Sequence, residues 1–426
     1  MHKRIVLFVA VGLLTMALVV GSRACAPPMV DEIITFAVLT DPHIAVPAPG
    51  YTLESCPYID SDRGRNMCRE SVELFTAAIE MVNAIPDLDF IVIVGDLTKH
   101  SERYNHDELL KLLPQFEAPV YVMVGNHDRV HPPGLVEVLN PDADIVNAYE
   151  LPTLYETYWG LGGKTYYSVG PAPGIQLIAL DSTRYQDHGG EIDETQLAWL
   201  RKELEAAEQR DRLPIVMLHH AVAVHVPGIV KGQPLYPLLP DTMIDNAEEV
   251  KSVLKEFGVP FVLSGHLHVQ DIAEEDGIYY IVTGSIITYP HPIRILKLNP
   301  KAGTLEVTTQ IIESIPSQPQ WQPYSKEEHA VWFEEIVFKY LQFFGVPENF
   351  AMAVAEHVRG ALETLSAGDA QLQYEFGDIF PEQTTGIPDL DAGLKLFLDL
   401  LNECSSTPPP DNNVALQLKT AVGVSQ

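Results

Sequence analysis

The run Ile33-Ile-Thr-Phe-Ala-Val-Leu39, followed at once by Thr40-Asp41-Pro42-His43, places a β-branched, apolar segment directly before a carboxylate and an imidazole. The pattern recurs. Phe90–Val94 precedes Gly95-Asp96, and Val120–Val124 precedes Gly125-Asn126-His127-Asp128. Ile215–Leu218 precedes His219-His220, and Phe261–Leu263 precedes Ser264-Gly265-His266-Leu267-His268. A sixth run of this kind, Ile175–Leu180, lies between them, and two further runs, Tyr279–Val282 and Ile293–Leu298, followed by Thr304–Ile312, predict a closing antiparallel segment with no helices between. Short apolar runs rich in Val and Ile predict buried strands. Helical periodicity fills the intervals at Arg65–Asn83, Arg103–Leu113, Glu194–Ala207 and Ala247–Phe257. The alternation predicts βα units, and such sheets collect their sites at the carboxyl ends of strands.

The residues at those ends suit hard or borderline cations. Carboxylate oxygen with imidazole nitrogen fits Mn, Fe, Zn or Co. Asp96 is the natural bridge between one ion held by Asp41, His43 and His268 and a second held by Asn126, His219 and His266. Two ions about 3.5 to 4 Å apart clamp an in-line phosphoryl displacement and acidify a water that serves as nucleophile. His127 is then left to protonate the leaving oxygen, and Asp128 to orient it or its loop from behind.

Each string has a purely structural reading. An Asp-x-His turn is commonly a helix cap, Gly-Asp is ordinary turn chemistry, and a His pair after a strand is often a satisfied core group. Their joint occurrence, in order and at strand ends, weighs against that reading. Arg184 and His220 are weaker candidates for substrate contacts, with His100, Tyr185, His188, His225 and His291 as further polar residues near the same face. His357 reads as structural.

With these residues the chain resembles the calcineurin-like metallophosphoesterases, in particular the branch of bacterial class III cyclic nucleotide phosphodiesterases. The resemblance runs over about 33–312 and includes Leu180-Asp-Ser-Thr183, Gln196-Leu-Ala-Trp-Leu200 and Thr283-Gly-Ser285 with Tyr289-Pro290. It implies a four-layer αββα sandwich of the α/β class and a dinuclear centre. The expected ligands are Asp41, His43, Asp96 and His268 for one ion, and Asp96, Asn126, His219 and His266 for the other. It implies His127 as the acid and hydrolysis of phosphomonoesters or phosphodiesters, and the leading expectation is a phosphodiesterase acting on a small organophosphate. The alternatives are phosphomonoester hydrolysis, by a phosphoprotein phosphatase or nucleotidase, and a non-catalytic scaffold. Departures are Ala221-Val222-Ala223 where prolines commonly follow the His pair, an insertion at 44–66, and a helical C-terminal extension.

The formal charge of −31, from 58 acidic and 27 basic residues, argues against a nucleic-acid polymer as partner, because phosphate contacts draw on clustered Lys and Arg. Met1-His-Lys-Arg4, an apolar run to Val20 and small residues to Ala26 predict a signal peptide over 1–26. Export follows, to a secreted, periplasmic or membrane-tethered location. Membrane attachment would need an uncleaved signal or lipidation of Cys25. In an exported chain Cys56 and Cys68 are expected to pair. The remaining expectations are a catalytic domain over 31–312, a Ser-, Pro- and Gln-rich linker over 313–324, a helical subdomain over 325–403 and a disordered tail over 404–426. Within the subdomain, helices are predicted at Lys326–Phe344, Pro347–Leu365 and Leu390–Asn402.

Overall fold

The protein is described here by a computed structural model. It describes residues 32–56, 59–60, 63–128, 144–147, 149–160, 164–184, 188–227, 231–232, 234–236, 242–380, 385 and 388–419. The expected signal peptide, Cys25 and Tyr185 lie outside these residues. Among the described residues no helix is long and apolar enough to cross a membrane.

Two six-stranded mixed sheets, flanked by helices, form the α/β body. In the first, β1 (Ile34–Leu39), β2 (Phe90–Val94) and β3 (Val120–Met123) run parallel. β10 (Pro292–Asn299) lies antiparallel against β1 and is extended by β11 (Thr304–Ile311) and β12 (Val414–Gln417). In the second, β5 (Ile175–Leu180), β6 (Leu213–Leu218), β7 (Phe261–Ser264) and β9 (Ile278–Val282) are parallel. β4 (Tyr167–Val169) and β8 (Asp271–Glu275) form the antiparallel edges. Every residue of β1, β2, β5, β7 and β9 is buried. Their sequences are continuous apolar runs rather than alternations because both faces of each strand are covered. Helices α1 (Ser71–Asn83), α2 (Arg103–Leu112), α3 (Leu151–Leu154), α4 (Glu194–Gln209) and α5 (Ala247–Glu256) complete this part. Asp193 caps α4 by accepting from the Gln196 amide.

Three sequence expectations need correction here. The last runs before Ser314 do not form one antiparallel unit: β9 joins the second sheet beside β7, and β10 and β11 join the first. The segment 283–291 crosses between the sheets under the site and sets this division. Arg65–Glu70 does not belong to α1, which starts at Ser71 after a single 3-10 turn at Cys68–Glu70. Cys56 and Cys68, both buried, are not joined to one another. Instead Cys68 Sγ faces Lys99 Nζ at 3.4 Å.

The C-terminal helices are α6 (Trp321–Phe343), α7 (Glu348–Val358), α8 (Ala361–Ala367), α9 (Phe376–Ile379) and α10 (Pro388–Asn402). Arg359-Gly360 interrupts the long helix expected from Pro347 to Leu365. Phe333, Val337, Val354, Val358, Leu394, Phe397 and Leu401 share a second core with Ala221, Leu267 and Val269. The extension therefore packs directly behind the two loops that carry His219, His220, His266 and His268. The expected linker is not loose: Trp321 is fully buried in the main core, and the Ser317 amide donates to Glu73 at 2.8 Å. Nor does the tail lack order up to residue 419. β12 pairs with β11, and Asp411 is buried, accepting from the Ile272 amide at 3.0 Å. The three prolines of this tail, Pro408–Pro410, precede the strand rather than interrupt it.

Candidate functional site

The site is built at the carboxyl ends of five strands, one sequence string per strand. Thr40–His43 leaves β1 beside the turn after β2, where the Asp41 amide donates to Gly95 O at 3.2 Å and the His43 amide to Asp96 O at 2.9 Å. Asp41, His43, Asp96, His266 and His268 all hold positive φ, between 37° and 68°. Left-handed backbone is costly for residues with a Cβ and collects where the surroundings over-determine a conformation. Five of the seven expected metal ligands therefore sit on strained turns that aim their side chains into one space.

The side chains converge. Ligand atoms within 4.8 Å of one another form three groups suited to hold a cation: Asp41, His43 and His268; His43, Asp96 and His127; and Asp96, His219 and His266. His43 Nε2 lies 3.4 Å from both Asp96 Oδ2 and His268 Nε2, and His268 Nε2 lies 3.3 Å from Asp41 Oδ1. On the other side, His219 Nε2 lies 3.2 Å from Asp96 Oδ2 and 3.0 Å from Asn126 Oδ1. Asp96 is thus common to both halves. Asn126 enters through that contact with His219.

The far ring nitrogens are held by the protein. His219 Nδ1 donates to Val94 O at 3.1 Å, which leaves Nε2 as the ligating atom. His268 Nδ1 lies 2.8 Å from Thr288 Oγ1, whose hydroxyl donates to Asn66 Oδ1 at 3.2 Å. With the hydroxyl hydrogen spent on Asn66, Thr288 accepts from His268, and His268 Nε2 also presents a lone pair to the site. The His266 amide donates to the Asp41 carboxylate at 3.1 Å.

Electrostatics fit cation binding. Asp41 and Asp96 are buried carboxylates, and burial of a charge is expensive without a counter-charge. Burial pushes the Asp41 carboxyl up, but the neighbouring His268 and His219 outweigh it and hold the group below its usual range. His219 is pushed up to about 9: burial opposes this, and the Asp96 and Asp41 carboxylates win. Burial and neighbouring histidines push His43 and His266 well down, which keeps both in the neutral form that binds metals. A lone pair from each of several imidazoles, two carboxylates and an amide oxygen are what a pair of divalent ions requires.

The comparison with known families settles the affiliation. The sequence model of the calcineurin-like phosphoesterases matches residues 34–270, more than half of the chain. The chain belongs to the calcineurin-like phosphoesterases. Among relatives, it is 24% identical over 208 residues to sphingomyelin phosphodiesterase 2 of Caenorhabditis elegans, covering 42% of this chain and 32% of that protein. It is 26% identical over 221 residues to the 3′,5′-cyclic adenosine monophosphate phosphodiesterase of Escherichia coli, covering 50% and 66%. The chain thus spans less than two thirds of either relative. A solved dimetal phosphatase from Danio rerio shares the fold, with a TM-score of 0.50 and 17% identity over 66% of this chain and 97% of that one.

Within this calcineurin-like phosphoesterase the remaining candidates separate. His127 is half-buried at the mouth, edge-on to His43 with ring centroids 4.6 Å apart. Asp128 is fully buried behind this turn. Its carboxylate accepts from the amides of Leu97, Thr98 and Gly125, each at 2.9 Å, and so ties the two turns together. His100 stacks on His127 at 5.4 Å, and His188 lies 5.5 Å from it on another side. His220 is fully buried, with Nδ1 2.9 Å from Ser182 Oγ and Nε2 2.8 Å from His188 O, so both ring nitrogens are engaged within the protein. Arg184 forms an ion pair with Asp245 rather than joining the cluster. His225 bonds Asp271 at 2.6 Å, and the buried His291 bonds Ile286 O at 2.8 Å. His357 is exposed on α7. Reading the sequence missed Thr288, Asn66 and the Lys99 carbonyl, because nothing in a lone Thr, Asn or backbone oxygen marks it as the support of a ligand 20 or more positions away.

Proposed function

We propose that this protein is a dinuclear-metal-dependent phosphoric ester hydrolase acting on a small phosphodiester. The observation that carries this reading is the convergence of the His43 and His219 Nε2 atoms on one oxygen of Asp96, at 3.4 and 3.2 Å, with His268 and Asp41 closing one side and Asn126 and His266 the other. Asp41, His43, Asp96 and His268 would hold one ion, and Asp96, Asn126, His219 and His266 the second, with Mn, Fe, Zn and Co all compatible with these donors. When bound, the ions supply Lewis-acid polarisation of the phosphoryl group and acidify water at neutral pH.

The chain's own groups do the rest. The His127 amide is fixed on Asp96 Oδ1 at 2.7 Å and its Nδ1 on Lys99 O at 2.7 Å. The imidazolium form would then deliver its Nε2 proton to the departing oxygen. Diesters are favoured because both curated relatives above are phosphodiesterases by name. A small substrate is favoured by an acidic chain that disfavours polynucleotides. The Met1–Ala26 pattern supports export.

Hydrolysis of bis-p-nitrophenyl phosphate and of p-nitrophenyl phosphate by the Mn-supplied full chain tests the reading. Diester turnover should exceed monoester turnover and disappear with EDTA. Full activity that survives both EDTA and Asp96→Ala would sink it, and faster monoester turnover would move the assignment to a phosphatase.

A further inference from the structure

The C-terminal extension reaches one half of the metal cluster through the insertion. His329 of α6 is buried, and its Nδ1 donates to the Gly64 carbonyl at 2.8 Å. That leaves its Nε2 to accept from Ser366 Oγ of α8, at 3.3 Å. Gly64 lies flat against α6, where its φ of +96° suits glycine and a Cβ would collide with Trp332. The residue before it, Arg63, bonds Glu328 at 3.1 Å and the Tyr324 hydroxyl, both on α6. Two residues after Gly64, the buried Asn66 accepts at Oδ1 from the Thr288 hydroxyl at 3.2 Å, and Thr288 Oγ1 lies 2.8 Å from His268 Nδ1. The Met67 amide donates to Ile287 O at 2.8 Å, so the insertion and the 283–291 crossover meet at two adjacent residues.

These contacts fix where the proton of His268 sits. A hydroxyl has one hydrogen, and Asn66 takes it, so Thr288 offers a lone pair to Nδ1 and Nε2 stays open to an ion. Without Asn66 the hydroxyl is free to turn its hydrogen toward Nδ1. That favours the other tautomer, with the proton on the ligating nitrogen. The support is also one-sided: His268 shares a cation group with Asp41 and His43, whereas His219 and His266 share another with Asp96. A second contact with the extension grips the same loop, where the Gln270 amide, two residues beyond His268, donates to Ser366 O at 3.2 Å.

We propose that Asn66 is a positioning residue that sets the affinity of one of the two ions, the one held by Asp41, His43 and His268, and that α6 keeps Asn66 in place through Gly64. The proposal rests on the dinuclear centre of the hydrolase reading. The insertion and the extension supply none of the expected ligands, yet through this chain of hydrogen bonds they tune one side of the centre.

Calorimetric titration of the metal-free full chain with Mn tests it. Wild type should take up two ions. Asn66→Ala should weaken one ion by about 10- to 100-fold, the range for losing the partner of a ligating histidine, and the other by less than about threefold. Asn66→Ser, too short to reach Thr288, carries the same comparison if the alanine variant does not fold. Thr288→Val should weaken the same ion and Thr288→Ser should restore it. Combining Asn66→Ala with Thr288→Val should be no worse than Thr288→Val alone, because Asn66 acts through that hydroxyl. His329→Leu should weaken the same ion by at least about threefold. Equal weakening of both ions, additive losses in the double variant, or wild-type affinities in the Asn66 or His329 variants would overturn the proposal. A wild-type chain that takes up fewer than two ions would overturn the dinuclear reading and the proposal with it. The expected losses in a chain that cleaves no phosphoester would overturn the hydrolase reading alone.

Discussion

His127 Nδ1 lies 2.7 Å from the backbone carbonyl oxygen of Lys99. A carbonyl only accepts, so Nδ1 carries the proton and Nε2 is the nitrogen left to face a ligand. Nε2 is therefore the one nitrogen through which His127 can either deliver a proton or bind a metal, and the ring is close enough to His43 and Asp96 to join a cation group with them. His127→Gln is expected to lower kcat by about 10²- to 10⁴-fold, the range for a lost general acid, with two ions per chain retained. Elemental analysis of the variant checks this, and a fall to one ion would make His127 a ligand instead.

Gly125 gives a second test, through shape. A Cβ at this position would land on the Asp96 carboxylate and backbone nitrogen. Gly125→Ala should therefore displace the shared carboxylate without replacing any ligand. Metal content should fall by half or more and diester turnover with it. Stability should drop by only about 1–3 kcal/mol, as for other overpacked sites. An active, fully loaded variant would show that Asp96 is not the bridge.

Asp128 is expected to matter for the fold more than for chemistry. Removing its carboxylate leaves the buried amides of Leu97, Thr98 and Gly125 without their acceptor. At about 1–3 kcal/mol for each unsatisfied donor, partly relieved by entering water, Asp128→Ala should cost about 3 kcal/mol or more. Urea denaturation measures it. A cost below about 1 kcal/mol would mean that the two turns hold without this tie.

The strand runs of the body were legible because buried parallel strands require continuous apolar sequence. The ligand strings were legible because ligating side chains come from few residue types. Support was not. Whether Thr288 braces His268 depends on a crossover that brings residues 20 apart in sequence together, and Asn66 reaches the same hydroxyl from 222 positions away. β4, β8 and β12 escaped because edge strands are short and half-exposed, so their sequences lack the buried signature. His220 looked equivalent to His219 in sequence. Only the packing shows that one ring turns to Asp96 and the other to Ser182.

His106 makes stability depend on pH. It is fully buried, with Nδ1 2.7 Å from the Tyr155 hydroxyl and Nε2 3.1 Å from Ser101 Oγ. The single hydroxyl hydrogen of Ser101 goes to the Val146 or the Asp128 carbonyl, so its oxygen accepts from Nε2 and the neutral ring is satisfied at both nitrogens. Burial, aided by Arg103, pushes this histidine down to about 3. An unfolded chain would protonate it near 6.5. The unfolded state thus binds the proton first, and the stability contributed by His106 is present above about pH 6.5 and lost as pH falls toward 3, by about 1.4 kcal/mol per pH unit. His291 and His329, pushed down by burial to about 3 and about 4, act in the same direction. Asp411, pushed up to about 6 by burial and by Asp271, acts in the opposite one. Comparing urea midpoints of wild type and His106→Gln at pH 7.5 and pH 5 cancels the shared groups. The wild type should lose about 2 kcal/mol more than the variant between these values, and equal losses would remove His106 from the account.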